Sequence, residues 1–326
     1  MVPSPSGTTG AAEGNLLVSD KEPGPELELA LHSTRLWQEL AQELPAHIEY
    51  EAKGGLVVAS DATAMAALRE FAAHQAEAGV TAEEISADRL SDLEPHLAPP
   101  GSGAASTTRR TPRSSPPSPR PTCCTPREPG CAPVRRSPPS SPARAARCGA
   151  CAPRPGSCTP RTWSTRLSTW SGEVARLAGA HLPVLPRRGF VLVTEPLPRV
   201  VRRKVYAADY VADVASGSAA LQTSAVVEGT PAGPVLIGAS RERVGFDRTL
   251  STEVLRHLAA QATALFPVLA GVRAMRTYAG FRPYLPDHLP AIGSDPPACP
   301  DCCTPAATRA RGSASPRPPA SPSPGC

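Results

Sequence analysis

The stretch YAGFRPYLPDHLPAIG, residues 278–293, holds the densest set of side chains able to do chemistry. Arg282 offers a planar fork of donors that meets a carboxylate bidentately, a geometry lysine does not reproduce. Placed before Pro283, it would serve a structural ion pair equally well. Tyr278, Tyr206 and Tyr210 carry hydroxyls able to orient or cap a polar ligand, and tyrosines near strand ends also serve as half-buried packing. Asp287 and His288 invite an acid–base assignment, against which stands the ordinary use of Asp in turns. Cys148-x-x-Cys151 and Cys299-x-x-Cys302-Cys303 have the local spacing of zinc ligands. About 150 residues separate the two clusters and no secondary-structure signal surrounds either, so no metal is expected. Near the start, Gly10, Gly14 and Asn15 form a loop in which glycine would let the backbone approach a ligand or simply make a turn.

Composition divides the chain. Residues 100–167 contain twelve Arg, no Lys, one acidic residue (Glu128) and a dense run of Pro and Ser; residues 296–326 have the same character, and all ten cysteines lie in these two segments. Such segments bury too little apolar surface to offset their ordering entropy and are expected to be disordered. They carry +11 and +2 of the formal net charge of +5, leaving −8 for the rest. That balance describes a mildly acidic soluble enzyme, and the basic total says little about nucleic acid. The rival class is a basic nucleic-acid-binding protein with the Arg-rich segments as its working parts. Trp163 is the only aromatic in the first segment, so base stacking has no platform there. No apolar run approaches the roughly 18 residues of a membrane span and no signal-peptide core is present, so the expectation is cytoplasmic, with no membrane partner.

The elements that would position these residues alternate between helix and strand. Residues 24–44 place Leu29, Leu36, Leu40 and Leu44 at spacings compatible with one helical face. Residues 47–60 read as two short strands around Gly54-Gly55, a hairpin signal. Asp61 is an N-cap and Gly79 a C′ residue bracketing a helix, and a short helix stops near Pro95. After residue 167 come a buried strand over 190–194, a strand–turn–strand unit over 219–242 and a helix over 252–266. Strands and helices mixed in this way favour an α/β or α+β enzyme.

Three stretches resemble the flavin-dependent amine and amino-acid oxidoreductases, the family of D-amino-acid, glycine and sarcosine oxidases. SGTTGAAEGNLL, residues 6–17, is similar to the loop running beneath the isoalloxazine. TWSGEVARLAG, residues 169–179, followed by LPVLPRRGFVLVTEP, is similar to the segment that borders FAD and the strand entering the substrate domain. Residues 278–293 are similar to the family's G-x-R-P-x-(T/S)-P-D-x-x-P-x-I-G, with Leu285 at the usual hydroxyl position. The resemblance implies a two-domain flavoenzyme with a discontinuous FAD-binding domain and a mixed-sheet substrate domain. It implies oxidation of a small-molecule amine or α-amino acid by hydride transfer to flavin, with FAD as cofactor. Arg282 would grip the substrate carboxylate, Tyr278, Tyr206 and Tyr210 would line the substrate, and Gly10, Gly14, Asn15, Trp170 and Gly172 would border FAD. No obligatory protein base is implied, so Asp287 reverts to a turn residue.

The family opens with a strand, a G-x-G-x-x-G turn and a helix that cradles the pyrophosphate. Nothing before Ser6 supplies it, so the chain is expected to start after that motif. Read one base earlier, the codons from Cys299 onward permit VPGLLHAGGHEGAGIGLAPATG, similar to the family's C-terminal flavin motif. The same operation on residues 107–116 permits YYPEDAQVQP, and on residues 163–167 VVNAA, both resembling family segments in the expected order. The resulting organisation is a partial FAD-binding and substrate region over 1–99, out-of-frame segments over 100–167 and 296–326, and a substrate domain returning to the FAD domain over 168–295. From this follows an expectation of impaired activity, with weak FAD binding or none, and a non-functional translation product stands as a further alternative.

Overall fold

A mixed sheet of eight strands organises the residues described by the computed structural model, namely 7–12, 16, 18–43, 50–98, 106–109, 167–211, 218–294 and 305–308. Its strands are β1 (Gly55–Val58), β2 (Glu83–Ile85), β3 (Ser106–Arg109), β4 (Leu185–Thr194), β5 (Lys204–Ala207), β6 (Gln222–Gly229), β7 (Val235–Arg241) and β8 (Ala274–Tyr284). They lie in the order β2-β3-β1-β5-β6-β7-β4-β8. β1 runs parallel to β5, and every other neighbouring pair is antiparallel. A separate two-stranded ladder joins β9 (Ala291–Ser294) to β10 (Pro305–Thr308). The helices are α1 (Pro25–Glu43), α2 (Ala62–Glu77), α3 (Ala87–Leu93), α4 (Ser171–Leu177) and α5 (Thr252–Leu265).

Alternation along the strands sends side chains to two faces, and each face is covered. On the lower face Leu56, Val58, Phe190, Leu192, Val205, Val227 and Ile237 pack against Leu90 of α3 and Val254, Leu258 and Ala262 of α5. On the upper face Val57, Tyr206, Val226 and Ala239 meet Met65 and Leu68 of α2. Strand β1 is buried throughout because both its faces are covered, which explains its unbroken apolar sequence.

The expected caps are present. Asp61 is extended and accepts from the Ala64 amide at 2.8 Å, starting α2, and Gly79 follows the helix at φ +80°. The short helix before Pro95 is α3, capped by Ser86 and followed by the fully buried Glu94. The Glu94 carboxylate accepts from the amides of Arg202, at 3.0 and 3.1 Å, and Arg203, fastening the end of α3 to the chain entering β5. Burial pushes its carboxyl up from the ordinary range, opposed by those amides.

Three expectations require correction. The helix α1 forms, but of the four leucines expected on one face Leu29 is exposed, Leu36 and Leu40 are half-buried and Leu44 lies outside the described residues, while the fully buried leucine is Leu27. Leu27, Ala30 and Leu31 follow the i, i+3, i+4 stripe and pack on Val18 and Val80; Leu29, turned about 200° from Leu27 at 100° per residue, is 36% exposed. The hairpin at Gly54-Gly55 is not made. Gly54 does turn the chain, at φ +74°, but β1 pairs with β5 on one edge and β3 on the other, which takes up both sets of its backbone donors and acceptors. Within the segments expected to lack structure, residues 106–109 and 305–308 form β3 and β10, since backbone donors and acceptors pair whatever side chains they carry. All ten cysteines lie outside the described residues.

The corrected face of α1 is checked by two substitutions. Leu27→Ala is expected to lower unfolding stability by about 2–5 kcal/mol, and Leu29→Ala by less than about 1 kcal/mol, read from denaturant midpoints.

Candidate functional site

Strand β8 brings the site together. Its Phe281 carbonyl accepts the Thr8 hydroxyl at 2.7 Å and the Thr169 hydroxyl at 3.3 Å, and the two hydroxyls lie 3.0 Å apart. The stretches at 6–17, 169–179 and 278–293 therefore meet at one point. Beside it, Trp170 stacks on Phe246 with ring centroids 5.2 Å apart, and Phe281 meets Phe246 edge-on at 5.4 Å. Gly7, at φ +65°, lies over the Trp170 ring, where a Cβ would come within 3.0 Å of the indole. Gly280, one residue before Phe281, faces the opposite way, and a Cβ there would stand 2.7 Å from the Cβ of Ala11. The N-terminal segment thus presses on the upper face at β8.

The same segment leaves that face over β5. Ser19 and Tyr206 join through their hydroxyls, and Gln75 of α2 donates to the carbonyls of Val18, at 3.4 Å, and Lys21. Between the two anchor points the upper face is formed by strands β4, β7 and the start of β6, with Arg187 and Arg241 buried there. Here Arg187 and Arg282 are direct partners across β4 and β8, and Gln222 and Arg241 are direct partners across β6 and β7. Arg187 reaches over β7 to donate to the Gln222 amide oxygen at 3.1 Å. The Arg187 and Arg243 guanidinium carbons lie 5.4 and 4.7 Å from the Tyr284 ring, and that of Arg241 lies 4.7 Å from Tyr210.

Arg188, adjacent in sequence, points to the lower face and differs in kind. It pairs with Glu242 at 2.7 Å and Asp247 at 2.7 Å, and donates to the carbonyls of Asp247 and Thr249. The Thr249 hydroxyl and amide, and then Arg188, hold the Asp247 carboxyl below its ordinary range. Arg188 is accounted for by structure.

The residues singled out from sequence separate accordingly. Arg282 is exposed on the upper face beside Gly280, and Tyr278 is half-buried on the same face with Arg276 5.2 Å from its ring. Tyr206 is fully buried in the core and its hydroxyl is engaged by Ser19, so it packs the sheet rather than capping a site. Tyr210, also buried, supports Arg241. Trp170 stands at the convergence point. Gly172, in α4, is explained by packing, since a Cβ would lie 2.9 Å from the Val184 carbonyl oxygen. Gly10 sits in the exposed 3-10 turn Thr9–Ala11; Gly14 and Asn15 lie outside the described residues. Asp287 accepts from the Leu289 amide at 3.1 Å, the turn role expected of it, and the His288 ring meets Tyr284 edge-on. Sequence reasoning missed Thr8, Thr169, Gln222, Tyr284, Arg187 and Arg241. A signal existed for Arg187: in a strand, the paired Arg187-Arg188 must point to opposite faces.

A mixed sheet with α3 and α5 on its lower face and α2 with the N-terminal segment on its upper face is a fold that solved structures share. Glycine oxidase from Geobacillus kaustophilus superposes with a TM-score of 0.72 over 95% of this chain and 81% of that one, at 19% identity. The sequence profile of the FAD dependent oxidoreductase (DAO) family matches residues 2–112 and 168–309, well over half of the chain, and the chain belongs to that family. Hydrogen cyanide synthase subunit HcnC of Pseudomonas protegens is 32% identical over 116 residues, 35% of this chain and 24% of that protein. Glycine oxidase of Pseudomonas aeruginosa is 33% identical over 129 residues, 38% of this chain and 30% of that protein. The chain therefore spans less than a third of the length of these curated relatives.

The Gly280–Ala11 contact yields a compensation test. Gly280→Ala is expected to cost about 1–3 kcal/mol by overpacking and to shift Trp170 fluorescence to the red as the N-terminal turn is displaced. Adding Ala11→Gly should restore both readouts, whereas Gly271→Ala, at a position with open space around it, should disturb neither.

Proposed function

We propose that this protein oxidises a small amine or α-amino acid, with FAD as the electron acceptor and Arg282 as the anchor for a substrate carboxylate. The observation that carries the reading is the meeting of Thr8, Thr169 and Phe281 one residue from Arg282. Family membership supports it.

The residues at the convergence fit a flat cofactor with polar edges. The Ser171 hydroxyl is fully buried and has no hydrogen-bond partner among the described residues. A buried hydroxyl left unpaired costs about 1–3 kcal/mol, and a polar ring edge at this seam would relieve that cost. Glycines at 7 and 10 keep the adjoining backbone approachable. Residues 7–12 and 169–171 would hold FAD. The chemistry FAD supplies when bound is two-electron acceptance, taking a hydride from the carbon that bears the amine and leaving an imine.

The protein's own contribution is placement. Arg282 binds the carboxylate through two parallel hydrogen bonds, which fixes the direction of the α-carbon as well as its distance. The half-buried Tyr278, four residues earlier on the same face, borders the substrate. The aromatic group of Trp170, Phe246 and Phe281 packs on the other face of β8 and steadies the strand that presents Arg282.

The test is anaerobic reduction of flavin by a panel of amino acids, using the full chain supplied with FAD. A bleached flavin band with at least one amino acid is expected. Arg282→Met should lower the second-order rate of bleaching by roughly 30-fold or more, with Arg282→Lys recovering only part of it. No bleaching with any of the acids, or an unchanged rate in Arg282→Met, would contradict the proposal. The FAD content of the purified chain answers separately the expectation of weak binding.

A further inference from the structure

The end of the sheet away from Arg282 carries a cleft of about 270 Å³, bounded by the loop that follows β4, by the turn from β6 to β7 and by Glu51. Strand β4 runs from Arg187, the cross-strand partner of Arg282, to Thr194 where that loop begins, and such a run of strand covers about 23 Å. The cleft is therefore separate from the candidate site. Its two walls are fixed to each other. The Leu197 amide donates to the Gly233 carbonyl at 3.2 Å, and Gly233, at φ +103°, lets the turn close on the loop where a Cβ would stand 3.1 Å from the Leu197 carbonyl oxygen. The Thr230 hydroxyl donates to the Pro234 carbonyl at 2.8 Å and holds the turn itself. The far end of the loop is clamped by the buried Glu94 carboxylate, which accepts from the Arg202 and Arg203 amides.

The lining is apolar at Leu197, Val200, Pro231 and Val235, and it carries one charge of each sign, Glu51 and Arg199. Glu51 meets Lys53 at 3.1 Å through Oε2, while its Oε1 accepts no hydrogen bond among the described residues. Lys53 is shared with Glu228 at 3.1 Å and with the Gly229 carbonyl at 2.8 Å. Arg199 donates to the Arg202 carbonyl at 3.4 Å, and no carboxylate of the described residues stands within ion-pair distance of it. The exposed arginines 69, 89, 176 and 273 each hold a carboxylate instead. We infer that this cleft binds an apolar α-amino acid as its zwitterion, with the ammonium on Glu51, the carboxylate on Arg199 and the side chain against the four apolar residues. A simple acid or a simple amine answers only one of the two lining charges, whereas the zwitterion makes a charge-assisted contact with each. The volume falls just below that of sites for drug-sized ligands, which suits a single amino acid. The inference depends neither on Arg282 nor on flavin.

The experiment titrates the full chain, kept anaerobic so that nothing turns over, with leucine at millimolar concentrations and follows amide hydrogen exchange. Two analogues serve as comparisons: 4-methylpentanoate, which lacks the ammonium, and 3-methylbutylamine, which lacks the carboxylate. Leucine is expected to protect amides in residues 196–201 and 229–235, and each analogue to need at least about tenfold more ligand for the same protection. Arg199→Met and Glu51→Gln should each weaken leucine by a similar factor, and Arg282→Met should leave this protection unchanged. Absence of protection by leucine in these residues, an analogue that matches leucine, or protection that survives both Arg199→Met and Glu51→Gln overturns the inference, and the first two outcomes need no variant to fold. Protection lost in Arg282→Met also overturns it, since the amino acid would then be held at the candidate site. Flavin bleaching by amino acids without protection here leaves the proposed oxidation standing, and protection without bleaching leaves the cleft standing alone.

Discussion

One carbonyl oxygen holds the candidate site together. Phe281 lends it to the hydroxyls of Thr8 and Thr169, residues 273 and 112 positions away in the chain. Such contacts cannot be set by local propensity. They require β8 to be paired along its length with β4, because that ladder determines which residue presents its carbonyl at the seam and which presents its side chain to the upper face. Once it is in place, Gly280 faces Ala11, Phe281 turns into the aromatic group with Trp170 and Phe246, and Arg282 returns to the upper face beside Arg187.

Legibility from sequence followed the range of the interaction. Asp61, Gly79 and the stop near Pro95 were readable because caps and helix ends are decided within a few residues. The helices over 25–43 and 252–265 were readable for the same reason. Local periodicity placed α1, but the face it buries depends on Val18 and Val80, neither of which lies on that helix. The hairpin expected at Gly54-Gly55 failed for a related cause: β1 found a parallel partner some 150 residues away in β5 and an antiparallel one in β3, which leave no edge for a local strand. Strands β3 and β10 were invisible because their side chains give no strand pattern, and their ladders rest on the backbone.

The site was partly legible in the same sense. Arg282 and Trp170 came from ordered motifs and stand on β8 and at the seam beside it. Tyr206 has the right chemistry in the wrong place, since strand position buried its ring under α2 and engaged its hydroxyl with Ser19. Arg187 and Arg241 carry no motif of their own. Their neighbourhood is a matter of sheet order, which brings β7, β4 and β8 side by side although they are far from consecutive in the chain.

The alternation at Arg187 and Arg188 limits how strand β4 can change. One guanidinium faces Glu242 and Asp247, and the next, on the other face, donates to Gln222 and lies against the Tyr284 ring. Sliding β4 by a single residue would exchange them, parting Arg188 from Glu242 and Asp247 and Arg187 from Gln222. A two-residue slide would restore the faces but move Gly189 from its place opposite Gly280, where a Cβ would stand 2.6 Å from the Ser240 carbonyl oxygen. Substitutions within β4 can be tolerated one at a time, but an inserted or deleted residue is penalised on both faces at once. That makes this strand a fixed ruler against which loops at either end are free to lengthen.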